Sequence, residues 1–127
     1  VIPISSALLG YVPAKRFGWG ENLPKGVALQ WAKWCSSPGY VENEFGQGVQ
    51  QHWFESFSSP ITFVHASDDE IATLPNVEDI MRLFTKASKK RMEIQPEAFK
   101  LAKVGHIDIF REQCNSIWPE ILAELPS

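Results

Sequence analysis

Three side chains in this sequence are of the types that carry out acid–base chemistry. Asp68 and Asp69 directly follow "PITFVHAS", and His106 lies further along in "VGHIDIF". A carboxylate that accepts a hydrogen bond from imidazole Nδ1–H fixes the tautomer of the ring and leaves Nε2 as a base. We therefore take Asp69 as the candidate acid and His106 as the candidate base of a catalytic site.

Each of these residues also has a purely structural interpretation. Asp68 and Asp69 could form a solvated turn that caps the next helix, and His106 could lie on the surface at the start of a helix. The other two histidines fit packing roles better, since His65 lies within an apolar segment and His52 within an aromatic one. Packing is also the simpler interpretation of four tryptophans: Trp31, Trp34, Trp53 and Trp118.

A strand–helix–strand unit is predicted to bring the acid and the base together. Residues 60–66 are β-branched and aromatic and predict a buried strand, and "KKRMEIQ" (89–95) predicts a second one. Between them, Thr73 can cap a helix, and the parallel pairing that such a unit requires places both carboxyl ends at one sheet edge. The predicted apolar face of this helix contains Val77, Ile80, Met81 and Phe84.

Flanking segments are predicted to be mainly helical. Asn22 can cap a helix that ends before Ser36, with Val27, Trp31, Trp34 and Cys35 on its apolar face. Short helices are also expected at Ile4–Leu9 and in "VQQHWFESF" (49–57), with a loop over 39–50. At the other end, Asp108 can cap a long helix that Pro119 kinks or restarts, with an apolar stripe of Phe110, Cys114, Ile117, Trp118, Ile121, Leu122 and Leu125.

Composition restricts the function classes that are open. The 127 residues carry a net charge of -3, from 12 basic and 15 acidic residues, with no basic stripe that would indicate nucleic acid. No apolar run is long enough to span a membrane. Cys35 and Cys114 show neither C-x-x-C nor zinc-ligand spacing, which favours two reduced, buried thiols over a single disulfide, no metal site and a cytoplasmic location.

Two groups of motifs resemble those of α/β-hydrolases. "PITFVHASDDEIAT" and "VGHIDIFR" are similar to the acid and histidine segments of that family, and the spacing assigns the acid to Asp69 and the base to His106. Ala66 stands where glycine is common, and Asp108 stands where small or apolar residues are common. Residues 10–40 resemble the lid of a bacterial group of predicted α/β-hydrolases related to the serine aminopeptidase branch.

This resemblance implies an α/β class and a partial α/β-hydrolase fold. Residues 1–57 would form a mostly helical lid, and residues 58–127 would supply the last βαβ unit and the C-terminal helix. The family's nucleophile lies in Gly-x-Ser-x-Gly, yet none of the eight glycines has serine two positions later. The nucleophile is therefore expected upstream of Val1, in a missing N-terminal half, and the chain is interpreted as the C-terminal part of a serine hydrolase.

The resemblance implies hydrolysis of an ester, thioester or amide of a small acyl substrate, without a cofactor. One alternative is that the chain is a catalytically inactive fragment or interaction module, because the nucleophile is missing. Another is that Cys35 or Cys114 acts as the nucleophile with His106, although both are predicted to be buried. Since a two-stranded parallel sheet leaves edges and faces uncovered, self-association is also expected.

Overall fold

The computed structural model describes residues 10–17 and 21–125 of the chain. The predicted helix Ile4–Leu9 and residues 18–20 of the predicted lid lie outside this part. The chain divides into two compact units, Val1–His52 and Trp53–Ser127. The sequence-based boundary between residues 57 and 58 lies five residues further along the chain than this division.

The first unit combines a minimal sheet with short helices. Strand β1 (Tyr11–Val12) pairs antiparallel with β2 (Leu23–Pro24), and helix α1 (Lys25–Trp34) follows directly and packs against both strands. Two 3-10 helices complete the regular structure that is described for this unit, at Ala14–Phe17 and Tyr40–Glu44.

The cap and the buried face predicted for α1 are both wrong. Pro24 occupies the cap position without a side-chain hydrogen bond, and Asn22 Oδ1 instead accepts a hydrogen bond from the Lys15 amide at 3.3 Å. The buried residue of α1 is Ala28, whereas Val27 and Trp31 are exposed. Apolar residues occur on several sides of this helix, so spacing alone does not identify the stripe that packs on β1 and β2.

Helical structure between residues 39 and 57 differs from the prediction. The expected loop contains the 3-10 helix Tyr40–Glu44, which follows Gly39 in the left-handed region at φ 97°. The expected helix over 49–57 is reduced to one turn, in which the Trp53 carbonyl accepts hydrogen bonds from the Ser56 and Phe57 amides. A single turn fixes several dihedral angles for few hydrogen bonds, so it does not extend without further packing.

The second unit contains the predicted strand–helix–strand arrangement. Strand β3 (Ile61–Ala66) and strand β4 (Lys89–Ile94) pair in parallel, and helix α2 (Leu74–Met81) lies between them in the chain. The register runs from Ile61 opposite Lys89 to Ala66 opposite Ile94. The two strands and their parallel pairing are therefore confirmed, and within the described residues this sheet has two strands.

An aromatic cluster joins the start of the second unit to its sheet. The ring of Phe84, just after α2, makes edge-on contacts with Phe54, Phe57 and Phe63, at centroid distances of 5.0, 5.9 and 5.8 Å. Such edge-to-face pairs are a favoured arrangement of aromatic rings. They tie residues 53–57 to the βαβ unit, which explains why the division between units precedes Trp53.

The long C-terminal α-helix is replaced by three short helices. Two 3-10 helices, Asp108–Phe110 and Glu112–Ile117, precede helix α3 (Trp118–Leu122), and Pro119 lies in its first turn. Restarting of the helix near Pro119 is confirmed. The continuous stripe is wrong, because Arg111 between the two 3-10 helices has extended backbone angles (φ -86°, ψ 152°) that rotate the following residues. Four stripe residues are therefore exposed: Phe110, Trp118, Leu122 and Leu125.

The main core of the second unit lies beneath the end of the sheet. Its members share near-complete burial and come from both strands and the C-terminal segment; they are Ala66, Ile94, Val104, Ile109, Cys114 and Ile117. Ala66 and Val104 directly precede the segments that contain the candidate acid and base. No helix in the described ranges combines the length and the apolar character that a membrane span requires.

We predict that removing part of this core destabilises the chain much more than the same change on the surface. Ile94 is 1% exposed and Ile71 is 49% exposed. Ile94→Ala should lower the free energy of unfolding by roughly 2–5 kcal/mol, because it leaves a cavity under the sheet. Ile71→Ala should change it by about 0.5 kcal/mol or less. Urea denaturation of both variants checks this, and equal losses would contradict the position of the core.

Candidate active site

Asp69 and His106 form a hydrogen-bonded pair at the carboxyl end of β3. The distance from His106 Nδ1 to Asp69 Oδ2 is 2.9 Å. The Asp69 side chain is 3% exposed, and that of His106 is 45% exposed. The carboxylate is therefore buried while the imidazole side chain is partly exposed, an arrangement compatible with the acid and base of a catalytic pair.

The second oxygen of Asp69 holds its own loop. Oδ1 accepts hydrogen bonds from the Ile71 and Ala72 amides, both at 2.8 Å. An aspartate that bonds the amides two and three residues ahead is a common way to stabilise a turn. This turn fixes the carboxylate, so that Oδ2 is directed to His106.

The environment of Asp69 favours its charged form. Burial by itself raises the pKa of this carboxyl, but the hydrogen bonds from His106, Ala72 and Ile71 outweigh it, and the pKa lies below its ordinary value. An ionised carboxylate only accepts hydrogen bonds, so Nδ1 of His106 must carry the proton. The neutral ring then has its lone pair on Nε2, which has no hydrogen-bond partner within the described ranges.

Asp68 binds the backbone of the histidine loop. Its Oδ2 accepts a hydrogen bond from the Val104 amide and its Oδ1 accepts one from the Gly105 amide, both at 2.9 Å. Burial raises the pKa of Asp68, but the two amides and the charge of Lys103 outweigh it, so the pKa is lowered. The sequence-based interpretation of Asp68 as a solvated or helix-capping turn residue missed this role.

Glycine at position 105 permits this contact. Gly105 has φ 63°, in the left-handed region that residues with a side chain rarely adopt. Consecutive amides that converge on one anion are typical of turns with such a residue. The Gly-His dipeptide was the one available sequence signal, since a glycine before the histidine allows the chain to present two amides to a neighbouring carboxylate.

The remaining two histidines have other contacts. His65 is 4% exposed within β3, which confirms its predicted core position, and its Nε2 lies 3.2 Å from Arg91 Nη1. The ring of His52, in the first unit, stacks on Phe45 at a centroid distance of 3.7 Å. Both contacts are those of packed histidines.

The two thiols lack the features of a nucleophile. Both cysteines are free, as predicted, but Cys35 is exposed, which corrects the prediction that both are buried. Its neighbours on α1 are largely exposed as well, because the helix buries Ala28 instead. Partial desolvation raises the pKa of Cys35, and burial raises that of Cys114. Catalytic cysteines have a lowered pKa, so the structure gives no support to either thiol as the partner of His106.

Comparison of the chain with protein-family models, with curated proteins and with solved structures finds no match. The described residues also contain no group of three or more His, Cys, Asp or Glu side chains arranged to hold a metal ion. The interpretation of the site therefore rests on its geometry.

We predict that the two aspartates make stability depend on pH in the acid range. Their pKa values are lower in the folded chain than in the unfolded chain, so their contribution is present above the unfolded value of about 3.9 and is lost as pH falls through the folded values. The free energy of unfolding should therefore fall as pH is lowered below the unfolded value of these carboxyls. Asp69→Asn should flatten this dependence, as measured by denaturation at each pH. An unchanged pH profile in Asp69→Asn would contradict the lowered pKa of Asp69 as a source of this pH dependence.

We also predict that Asp69→Asn switches the tautomer of His106. The asparagine Oδ1 can keep the Ile71 and Ala72 amides, which leaves its NH₂ group facing Nδ1. That nitrogen must then accept, and the ring proton moves to Nε2. Long-range ¹H–¹⁵N spectra of the neutral ring should show Nδ1–H in the original chain and Nε2–H in the variant. The same tautomer in both proteins would rule out the Asp69–His106 contact as its determinant.

Proposed function

We propose that this chain supplies the acid and the base of a Ser-His-Asp triad in a serine hydrolase of the α/β-hydrolase superfamily. The observation that carries the proposal is the 2.9 Å contact between Asp69 Oδ2 and His106 Nδ1, in which the acid is buried and the imidazole side chain is 45% exposed. Support also comes from the position of Asp69 three residues after a strand in a parallel pair, where active sites of such sheets form.

In the proposed reaction, Nε2 of His106 takes the proton of a serine hydroxyl as that oxygen attacks an acyl carbonyl. The imidazolium then gives the proton to the leaving alcohol, thiol or amine, and an acyl-enzyme forms. Water hydrolyses the acyl-enzyme by the same proton transfers in the second half of the reaction. Asp69 remains ionised throughout and stabilises the positive ring.

The serine and the oxyanion hole are assigned to polypeptide outside these 127 residues. No Gly-x-Ser-x-Gly occurs in the sequence. In α/β-hydrolases the oxyanion hole uses the amide after the nucleophile and a second amide from an earlier loop, so it would accompany the serine. The substrate class is therefore an acyl ester, thioester or amide, and no cofactor is needed for this chemistry.

A second candidate is a catalytically inactive interaction module. The absence of the nucleophile motif favours it, because an Asp–His pair without an attacking atom has no covalent route. The two candidates differ in whether His106 takes part in turnover by the polypeptide that contains this chain.

The test uses the product of the whole reading frame that contains these residues, assayed on p-nitrophenyl esters and with a fluorophosphonate probe. We expect labelling of a serine outside the 127 residues. His106→Ala should reduce kcat by about 10³-fold or more, because the serine loses its base. The isolated chain should give neither turnover nor labelling.

Asp108→Asn is a matched control for Asp69→Asn in the same assay. Asp108 lies two residues from His106, but its carboxylate pairs with the Arg111 side chain at 2.7 Å. Turnover should fall strongly in Asp69→Asn and remain near normal in Asp108→Asn. Serine labelling with unchanged turnover in His106→Ala would refute the role of the pair, and absence of any reactive serine would favour the inactive module.

A further inference from the structure

We propose that Asp68 is a positioning residue that holds the histidine loop so that His106 can reach Asp69. This inference rests on the proposed function, because that function gives the Asp69–His106 pair its catalytic role. The role of Asp68 itself is argued from the geometry of the histidine loop. Two hydrogen bonds of 2.9 Å connect the Asp68 carboxylate to the Val104 and Gly105 amides, directly before His106 in the chain.

The position of these bonds in the chain explains why they act on His106. The Gly105 amide belongs to the residue directly before His106. Holding this amide therefore restrains the backbone from which the His106 side chain extends. Val104 is completely buried, which anchors the other end of the contact in the core. Between this anchor and His106, the backbone turns through the left-handed conformation of Gly105, and the carboxylate holds both amides on one side of that turn.

The carboxylates of Asp68 and Asp69 bind different parts of the histidine loop, Asp68 the backbone and Asp69 the imidazole ring. Asp69 uses one oxygen for the ring and the other for its own turn, and among the described residues its carboxylate accepts no bond from the backbone of the histidine loop. Asp68 uses both oxygens for that backbone. Hydrogen bonds from amides to an ionised carboxylate are about twice as strong as neutral ones. The loop is therefore held by charge-assisted bonds directly before His106.

A negative charge near His106 is the simplest competing explanation. Asp68 could act on the ring through its charge alone, without any need for the two amides. Asp108 separates the two explanations, since it is also an aspartate in the histidine loop but its carboxylate pairs with the Arg111 side chain. Loss of charge is the same in Asp68→Asn and Asp108→Asn, whereas loss of an amide acceptor occurs only in the first.

The experiment follows the His106 ring and the loop amides by NMR in the 127-residue chain. In Asp68→Ala, the Val104 and Gly105 amides should exchange with solvent about tenfold faster or more, because each loses a bond to a charged acceptor. The His106 Nδ1–H proton should lose its protection by a similar factor. Asp68→Asn keeps one acceptor oxygen, so its exchange rates should be intermediate, and Asp108→Asn should keep the original rates.

Two results would overturn the inference. One is a folded Asp68 variant in which the His106 Nδ1–H remains as protected as in the original chain, since a residue that only adds stability would lower the unfolding midpoint without exposing that proton. The other is equal loss of protection in Asp108→Asn, which would assign the effect to charge. If Asp68→Ala does not fold, the comparison of the two asparagine variants decides.

Activity of the larger polypeptide separates this inference from the proposed function. A positioning role predicts that Asp68→Asn lowers kcat with little change in KM, because the substrate still binds while the base is misplaced. Loss of ring protection in the NMR experiment supports the role of Asp68 even where no hydrolysis is found, and in that case only the hydrolase proposal fails. Normal kcat in Asp68→Asn, with His106→Ala inactive, would overturn the positioning role alone.

Discussion

The paired carboxylates at the end of β3 are the contact on which the candidate site depends. Asp68 binds the backbone of the histidine loop and Asp69 binds the ring, so two adjacent residues fix both the position and the orientation of His106. Burial removes water from the oxygens of both carboxylates, which is unfavourable unless other donors replace it. These contacts supply the donors. The same hydrogen bonds to the two carboxylates therefore stabilise the loop and orient the His106 ring.

Parallel pairing of β3 with β4 brings the two halves of this contact into range. The strands end together, with Ala66 opposite Ile94, and the Ser67 amide continues the pairing to the Ile94 carbonyl at 2.9 Å. A shift of one residue in this register would turn every side chain of a strand to the other face. The buried side chains of Ala66 and Ile94 oppose such a shift, and the turn that holds Asp69 starts from a fixed point.

Local sequence patterns were sufficient to predict the strand and helix that position the candidate site. The β-branched run of β3 and the helix that follows it lie close to where the sequence placed them, and the rule for parallel strands placed Asp69 near His106. The C-terminal segment differs because its apolar spacing fits an α-helix, while the extended backbone at Arg111 interrupts the repeat. The role of Asp68 was hidden because the sequence shows a carboxylate but not the two amides that Gly105 turns towards it.

Orientation of the proposed base is complete within the second unit. Within the described residues, the side-chain hydrogen bonds of Asp68, Asp69 and His106 all come from residues between 68 and 106, so these contacts form without a substrate or nucleophile. A base that is oriented beforehand requires little reorganisation when the proton moves, which is where much of the rate advantage of such sites arises. Under the proposed function, the bond-forming oxygen and the proton-transfer pair are thus supplied by separate parts of a polypeptide. Evolutionary or experimental loss of the nucleophile would then leave the geometry of the pair intact, since none of its contacts depends on the serine.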